Sequence, residues 1–210
     1  MNLTPGPFLI NRRRYLPLLS RLEILFDEMD RAYAQVSDRY GFQCNGCSDN
    51  CCLTRFYHHT LLEYLYLVEG IRSLEPDRRR SIRKAALAAN TRMYEADQRG
   101  ETLHIMCPLN RDGQCVAYPY RPMICRLHGI PHELHRPGGK IIKNPGCDSF
   151  FDQCRDRGTT EYIRFDRTPF YQQMAMLEKE LRQKTGYAEK IKLTIAQMLV
   201  TITDEAYEID

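Results

Sequence analysis

Nine cysteines fall in a chain of 210 residues: Cys44, Cys47, Cys51, Cys52, Cys107, Cys115, Cys125, Cys147 and Cys154. The first four share one stretch, Cys-Asn-Gly-Cys-Ser-Asp-Asn-Cys-Cys. A Cys-x2-Cys pair on an Asn-Gly turn aims two sulfurs at one point, which suits a thiophilic metal or an iron–sulfur cluster. The neighbours Cys51 and Cys52 point in different directions, so one can be a ligand while the other packs as a small hydrophobe or serves another metal. The later cysteines are singles, spaced by 8, 10, 22 and 7 residues. Structural zinc ribbons prefer a second Cys-x2-Cys. A multi-iron cluster draws single ligands from scattered loops more readily, and the turn amides of Asn45 and Gly46 can donate to its sulfurs. The spacing therefore favours iron–sulfur, with 4Fe–4S as the expected cluster and zinc as the alternative.

Other residues qualify the picture. Arg121 and Arg126 flank Cys125, and a guanidinium neutralises a thiolate-rich site, so both are candidate cofactor-binding residues. Gripping an anionic substrate is their other possible role. Cys125-x2-His128 is ligand spacing, and His58-His59 follows the first motif less tellingly. His132 and His135 read as ordinary hairpin histidines, and Tyr118 as packing against the site. No phosphate loop, GxGxxG, HExxH or Gly-x-Ser-x-Gly is present, nor the Cys-x3-Cys-x2-Cys of radical S-adenosylmethionine enzymes.

The first motif, with Cys107-Pro, Asp112-Gly113-x-Cys115, Tyr118, Arg121-Pro122 and Cys125-Arg126, resembles the YkgJ-type cysteine-cluster family. That is a zinc- or iron-chelating domain known for a CxxCxxCC motif, and the likeness covers about residues 41–154. This chain has x3 where the family has its second x2. The resemblance extends to flagellin lysine methylases, whose cysteines are thought to hold an iron–sulfur cluster. It implies a cysteine-bound metal or cluster, with Cys44, Cys47, Cys107, Cys115 and Cys125 as the first candidate ligands and Cys51, Cys52, Cys147 and Cys154 as the next, and redox or group-transfer chemistry on a protein substrate. The alternative is a non-catalytic zinc module for protein interaction or metal handling.

The elements that must position these residues are helical. Residues 16–38 carry apolar side chains at helical spacing and end near Tyr40-Gly41. Thr60–Gly70 is apolar, with Thr60 as N-cap and Glu63 at the capping-box position. Pro76 opens a helix from Asp77 to about Gln98, stopped by Gly100. Its basic run from Arg78 to Lys84 reads as a solvated face rather than a nucleic-acid surface. Two antiparallel helices between Cys52 and Cys107 would return the chain to its start, so the two cysteine groups can meet. Residues 101–158 are loop-like around a hairpin at Gly129–Lys143. Pro169–Lys184 and Ala188–Thr203 are the final helices. The expected fold is mainly α: a helical scaffold with a short β-hairpin and an irregular cysteine-rich metal-binding layer. One domain over 1–210 is expected, with the cysteine core at about 41–158.

Bulk properties exclude little else. A hydrophobic fraction of 43% and a net charge of +3 are ordinary, and the charge is too small to argue for nucleic acid. No apolar run reaches membrane-spanning length. The N-terminal residues lack signal-peptide character, so a cytoplasmic chain with reduced thiols is expected.

Overall fold

The computed structural model describes residues 3–44, 51–157 and 161–202, with 155–157 as backbone only. Helices account for 57% and strands for 8%, so the fold is mainly helical. A short α1 (Gly6–Leu9) precedes α2 (Leu16–Tyr40). α2 ends where expected: Gly41 takes a φ of 66°, and the Gly41 and Phe42 amides donate back to Asp38 and Ser37 carbonyls. This left-handed stop closes the helix without steric cost.

α3 (Leu61–Arg72) is buried on every face, through Leu61, Leu62, Leu65, Leu67, Val68 and Ile71. A helix apolar all round belongs at the centre of a domain, and α2 and α7 (Thr168–Thr185) pack against it. α4 (Pro76–Arg99) starts on its proline, stops at Gly100, and packs against α8 (Ile195–Val200). One buried cluster runs from Leu3 to Ile202. None of the described helices is long and apolar enough to cross a membrane.

The strands are two antiparallel hairpins. β1 (Asn110–Arg111) pairs with β2 (Gln114–Cys115), and β3 (His132–His135) with β4 (Ile141–Asn144). The second is the expected hairpin. Two expectations need correction. The region 101–158 is not all loop: besides α5 (Met123–Leu127) it contains α6 (Asp148–Arg157). Phe150 and Cys154, one helical turn apart, bury a narrow stripe while the neighbouring Phe151 stays exposed, too short a pattern to recognise. The last helix begins at Ile195 rather than Ala188. Thr194 and Gln197 form a reciprocal capping box there, while Leu193 pairs with His58 as an isolated β-bridge.

Candidate metal centre

The two cysteine groups meet through backbone. Cys51 to Thr54 form a turn, with the Thr54 amide donating to the Cys51 carbonyl at 3.3 Å. The Cys107 amide donates to the Cys52 carbonyl at 2.8 Å, and the Asn110 amide to the Cys107 carbonyl at 2.9 Å. The β1–β2 hairpin then turns on Asp112 and Gly113, at φ 53° and 83°. Two successive positive φ values make the tight turn that Asp-Gly favours. The turn sets Cys115 opposite Asn110.

Cys125 is placed by α5, and α5 by a relay of buried carboxylates. Glu178 on α7 accepts the Leu61 and Leu62 amides, each at 2.9 Å. It thereby satisfies the first donors of α3, which no helical carbonyl can reach. Glu63 on α3 does the same for α5, accepting the Met123 amide at 2.9 Å and the Thr60 hydroxyl at 2.6 Å. Only half of the expected capping box forms. Thr60 Oγ1 takes the Glu63 amide at 3.2 Å, but the Glu63 carboxylate reaches α5. Burial pushes the Glu63 carboxyl above its usual range, and the bonds from Thr60 and Met123 pull it back.

Cys44, Cys51, Cys52, Cys107, Cys115 and Cys125 all line one cavity of about 920 Å³, together with Arg121, Arg126, His58 and His128. Their thiols perturb one another. The Cys52 thiol is held low because Cys107 and Cys51 hydrogen-bond to it. Cys51 and Cys107 are pushed up, first by that same bonding and then by burial. Cys125 is pushed up to about 12 by burial, then by Cys115, Cys52 and Glu63. Cys115 is raised chiefly by burial, with Cys52 adding to it. Crowded thiolates repel, so keeping them all deprotonated requires a cation among them. Among the described residues, no three cysteine sulfurs lie within 4.8 Å of one another. A single tetrahedral zinc would draw four sulfurs to about 3.8 Å, from bonds of about 2.3 Å. A polynuclear cluster seats each thiolate on a different iron and spaces them more widely.

The remaining expected residues are distributed as follows. Cys47, Asn45 and Gly46 lie outside the described residues. Cys147 precedes α6, its amide donating to the Gly129 carbonyl at 2.8 Å. Cys154 is 5% exposed in the hydrophobic core. Neither belongs to the six cysteines on the cavity wall. None of the eight described cysteines forms a disulfide. Arg121 and Arg126 share one carboxylate, donating to Asp30 at 2.9 and 2.6 Å. Arg126 also donates to the Arg121 and Pro119 carbonyls, and Arg121 stacks over Tyr118 at 3.7 Å. Both arginines therefore fasten the Tyr118–Arg126 turn to α2. The Arg121 charge still lowers Cys115 and Cys125 somewhat. His128 rests edge-on against Phe56 at 5.2 Å.

His58 has more weight than its spacing suggested. It is 2% exposed, and its Nε2 has no hydrogen-bond partner. It also borders a second cavity of about 940 Å³, walled by Tyr57, Tyr171, Met174 and Tyr187. His135, Glu133 and Asp166 bring ligand atoms within 4.8 Å of one another. The Arg164 Nε already sits on Glu133 at 2.7 Å, which makes this group an ion-pair network. Sequence reasoning missed one buried cation, Arg167, because nothing in the spacing of Phe-Asp-Arg-Thr-Pro signals that its side chain turns inward. With this geometry in view, the chain was compared with known proteins, and no family model, curated protein or solved structure matches it.

Proposed function

We propose that this protein holds an iron–sulfur cluster, of the 4Fe–4S kind, through Cys52, Cys107, Cys115 and Cys125, in the manner of the cysteine-cluster family its motifs resemble. The observation that carries the reading is the convergence of cysteines from three separate segments on one cavity wall, with Cys52 and Cys107 joined through backbone. The Cys52 carbonyl takes the Cys107 amide at 2.8 Å, which favours Cys52 over Cys51 as the ligand. With one cysteine on each of four irons, a cluster bound there would supply one-electron transfer. The chain's own groups would position it: Glu63 fixes α5, and Asp30 with Arg121 and Arg126 fixes the turn before it. A protein side chain is the proposed class of substrate.

The test is purification under anaerobic conditions with iron, acid-labile sulfide and zinc determined on the same sample. We expect about four irons and four sulfides per chain and broad absorbance near about 400 nm that bleaches on reduction. Cys52→Ser should lose the chromophore while Cys51→Ser keeps most of it. Stoichiometric zinc without sulfide would replace the cluster by the zinc-module reading. A wild-type protein that binds neither metal would end the metal reading altogether.

A further inference from the structure

The two faces of α4 meet different surroundings. Its inner face buries Ile82, Ala86, Ala89, Met93 and Ala96. Ala89 and Met93 also line the cavity that the six cysteines share. The outer face carries Arg80, Lys84, Leu87, Thr91 and Tyr94. Steps of four and three residues set them in one stripe. All five are exposed, and the two apolar ones are large: Leu87 at 46% and Tyr94 at 64%. Two large apolar side chains aligned in solvent contribute little to the fold, and beside cations they suit a surface that another protein covers.

The basic end of this face is fastened to the cysteine region. Arg111 on β1 donates to the Ser81 hydroxyl at 2.9 Å. Its neighbour Asn110 stands opposite Cys115, and the Asn110 side chain hydrogen-bonds to the Cys52 sulfur. On α4, Arg78 and Lys84 flank Ser81 three residues to either side, as surface neighbours. Among the described residues, Arg78, Lys84 and Arg111 pair with no carboxylate, while Arg80 pairs with Asp77. Residues 72–84 with 110–113 hold seven Arg or Lys against three carboxylates, Glu75, Asp77 and Asp112. That surplus draws in an acidic surface. It suits a phosphate backbone less well, since the cations of the stripe stop at Lys84 and Glu95 adjoins Tyr94, whereas nucleic acid needs cations along the whole contact.

We propose that the outer face of α4 docks an acidic one-electron carrier protein, its carboxylates meeting Arg78, Arg80, Lys84 and Arg111 and its apolar patch covering Leu87 and Tyr94. This rests on the centre proposed above and names the partner of its electron transfer. A helix is about 10–12 Å across, so a carrier on the stripe stands one helix away from the cysteine cavity. One electron leaves the reduced carrier, which is oxidised, and enters the oxidised centre, which is reduced. No bond forms or breaks. The cations govern the rate of encounter, and the apolar pair governs the lifetime of the complex.

The test uses metal-loaded protein and a plant-type 2Fe–2S ferredoxin as the acidic carrier. Binding to immobilised ferredoxin and stopped-flow reduction by the same ferredoxin, reduced, are both measured. The double variant Arg80→Glu, Lys84→Glu should lower kon and the reduction rate about tenfold at low salt, with the gap closing at high salt. Leu87→Ala with Tyr94→Ala should keep kon and raise koff about tenfold. Arg13→Glu with Arg14→Glu makes the same change of charge at exposed sites elsewhere and should stay near wild type. Photoreduced deazaflavin, a small neutral donor, should reduce all of them alike. Equal rates across the variants, an equal loss in the Arg13 and Arg14 variant, or no binding of the carrier would overturn the inference and leave the centre intact. A DNA duplex held by wild type and released by Arg80→Glu, Lys84→Glu would give the face to nucleic acid instead. A dimer in sedimentation, broken by Leu87→Ala, Tyr94→Ala, would give it to a second copy. A wild type without a redox-active metal would remove the centre and this inference together.

Discussion

α3 is enclosed by leucines and tyrosines on every side, whereas the segments bearing Cys52, Cys107, Cys115 and Cys125 meet their neighbours largely through backbone hydrogen bonds and one relayed carboxylate. Their apolar anchors are few: Leu109, Ala117, Met123 and Leu127. The first region is held by burial and should stand without a ligand. The second has less core of its own and draws order from what it binds, since metal-binding free energy becomes folding free energy in such segments. The comparison breaks if both regions respond alike to core damage and to metal removal.

The largest effect should come from the core. Leu65 is fully buried in α3. Leu65→Ala removes its packing and leaves a cavity, at about 2–5 kcal/mol. Because α3 owes nothing directly to the metal, the loss should be similar in metal-loaded protein and in protein stripped by chelator. Urea unfolding of both forms checks this. A loss confined to the loaded form would mean that α3, too, depends on the centre.

Glu63→Ala sharpens the comparison, because Glu63 belongs to α3 but serves α5. It leaves the Met123 amide and the Thr60 hydroxyl unpaired in a buried place, at about 1–3 kcal/mol. Limited proteolysis should show cutting near residues 118–128 before any loss of helical circular dichroism. Glu63→Gln keeps one acceptor and should recover part of the loss.

The long helices were legible because apolar period, proline starts and glycine stops are local signals. Gly41 and Gly100 mark their ends with positive φ. Cys52 and Cys107 do meet, as expected, but not by an antiparallel return of two helices: α3 packs on α2 and α7, and α4 on α8. What could not be read is which polar groups go inside. Arg121 and Arg126 stand beside Cys125 in sequence, yet their partner Asp30 is 91 and 96 residues away. Arg167, distant from every cysteine in sequence, is buried, and among the described residues no carboxylate is paired with it. Glu63 carried a capping signal whose carboxylate serves another helix. Each outcome depends on a tertiary neighbour, and side-chain spacing along the chain carries no record of it. α6 and the late start of α8 were missed for the complementary reason: their apolar stripes are a single turn long.

His58 lies at the seam, its backbone paired with Leu193 and its ring bordering both cavities. Burial, then the neighbouring His59, pushes its folded pKa down to about 4, below an unfolded value of about 6.5. The native state therefore needs the neutral ring, while the unfolded chain takes up a proton as pH falls. The stability involved is intact above about pH 6.5 and is lost as pH falls toward about 4, with about 1.4 kcal/mol gone at about pH 5.5. His132, also pushed down to about 4, adds in the same sense, so His58→Gln isolates the first share. Unfolding at pH 7.5 and 5.5 should show a drop in wild type that is about 1.4 kcal/mol smaller in the variant. An identical drop in both would place the acid sensitivity elsewhere.

The smallest effect tests the contact between the two regions most directly. Gly70 lies inside α3, where glycine is a poor choice by about 1 kcal/mol relative to alanine. Taken as part of the scaffold alone, Gly70→Ala should therefore stabilise the protein. But Tyr120, one residue before Arg121, lies directly over Gly70. A Cβ there would stand 2.3 Å from Tyr120 Cγ and 2.7 Å from its Cβ. The Tyr120 ring is meanwhile held against Tyr66, with centroids 5.0 Å apart, so it cannot simply swing aside. Such overpacking costs about 1–3 kcal/mol, which exceeds the helical gain. The expected outcome is a net loss of about 1 kcal/mol, with raised protease sensitivity near residues 118–128 and metal released faster to chelator. Tyr120→Gly in the same chain removes all three clashing atoms. In that background, Gly70→Ala should become neutral or stabilising, as the helix alone would dictate. If Gly70→Ala stabilises wild type outright, the turn before Cys125 does not lean on α3, and the two regions are less closely joined than the Gly70–Tyr120 contact implies.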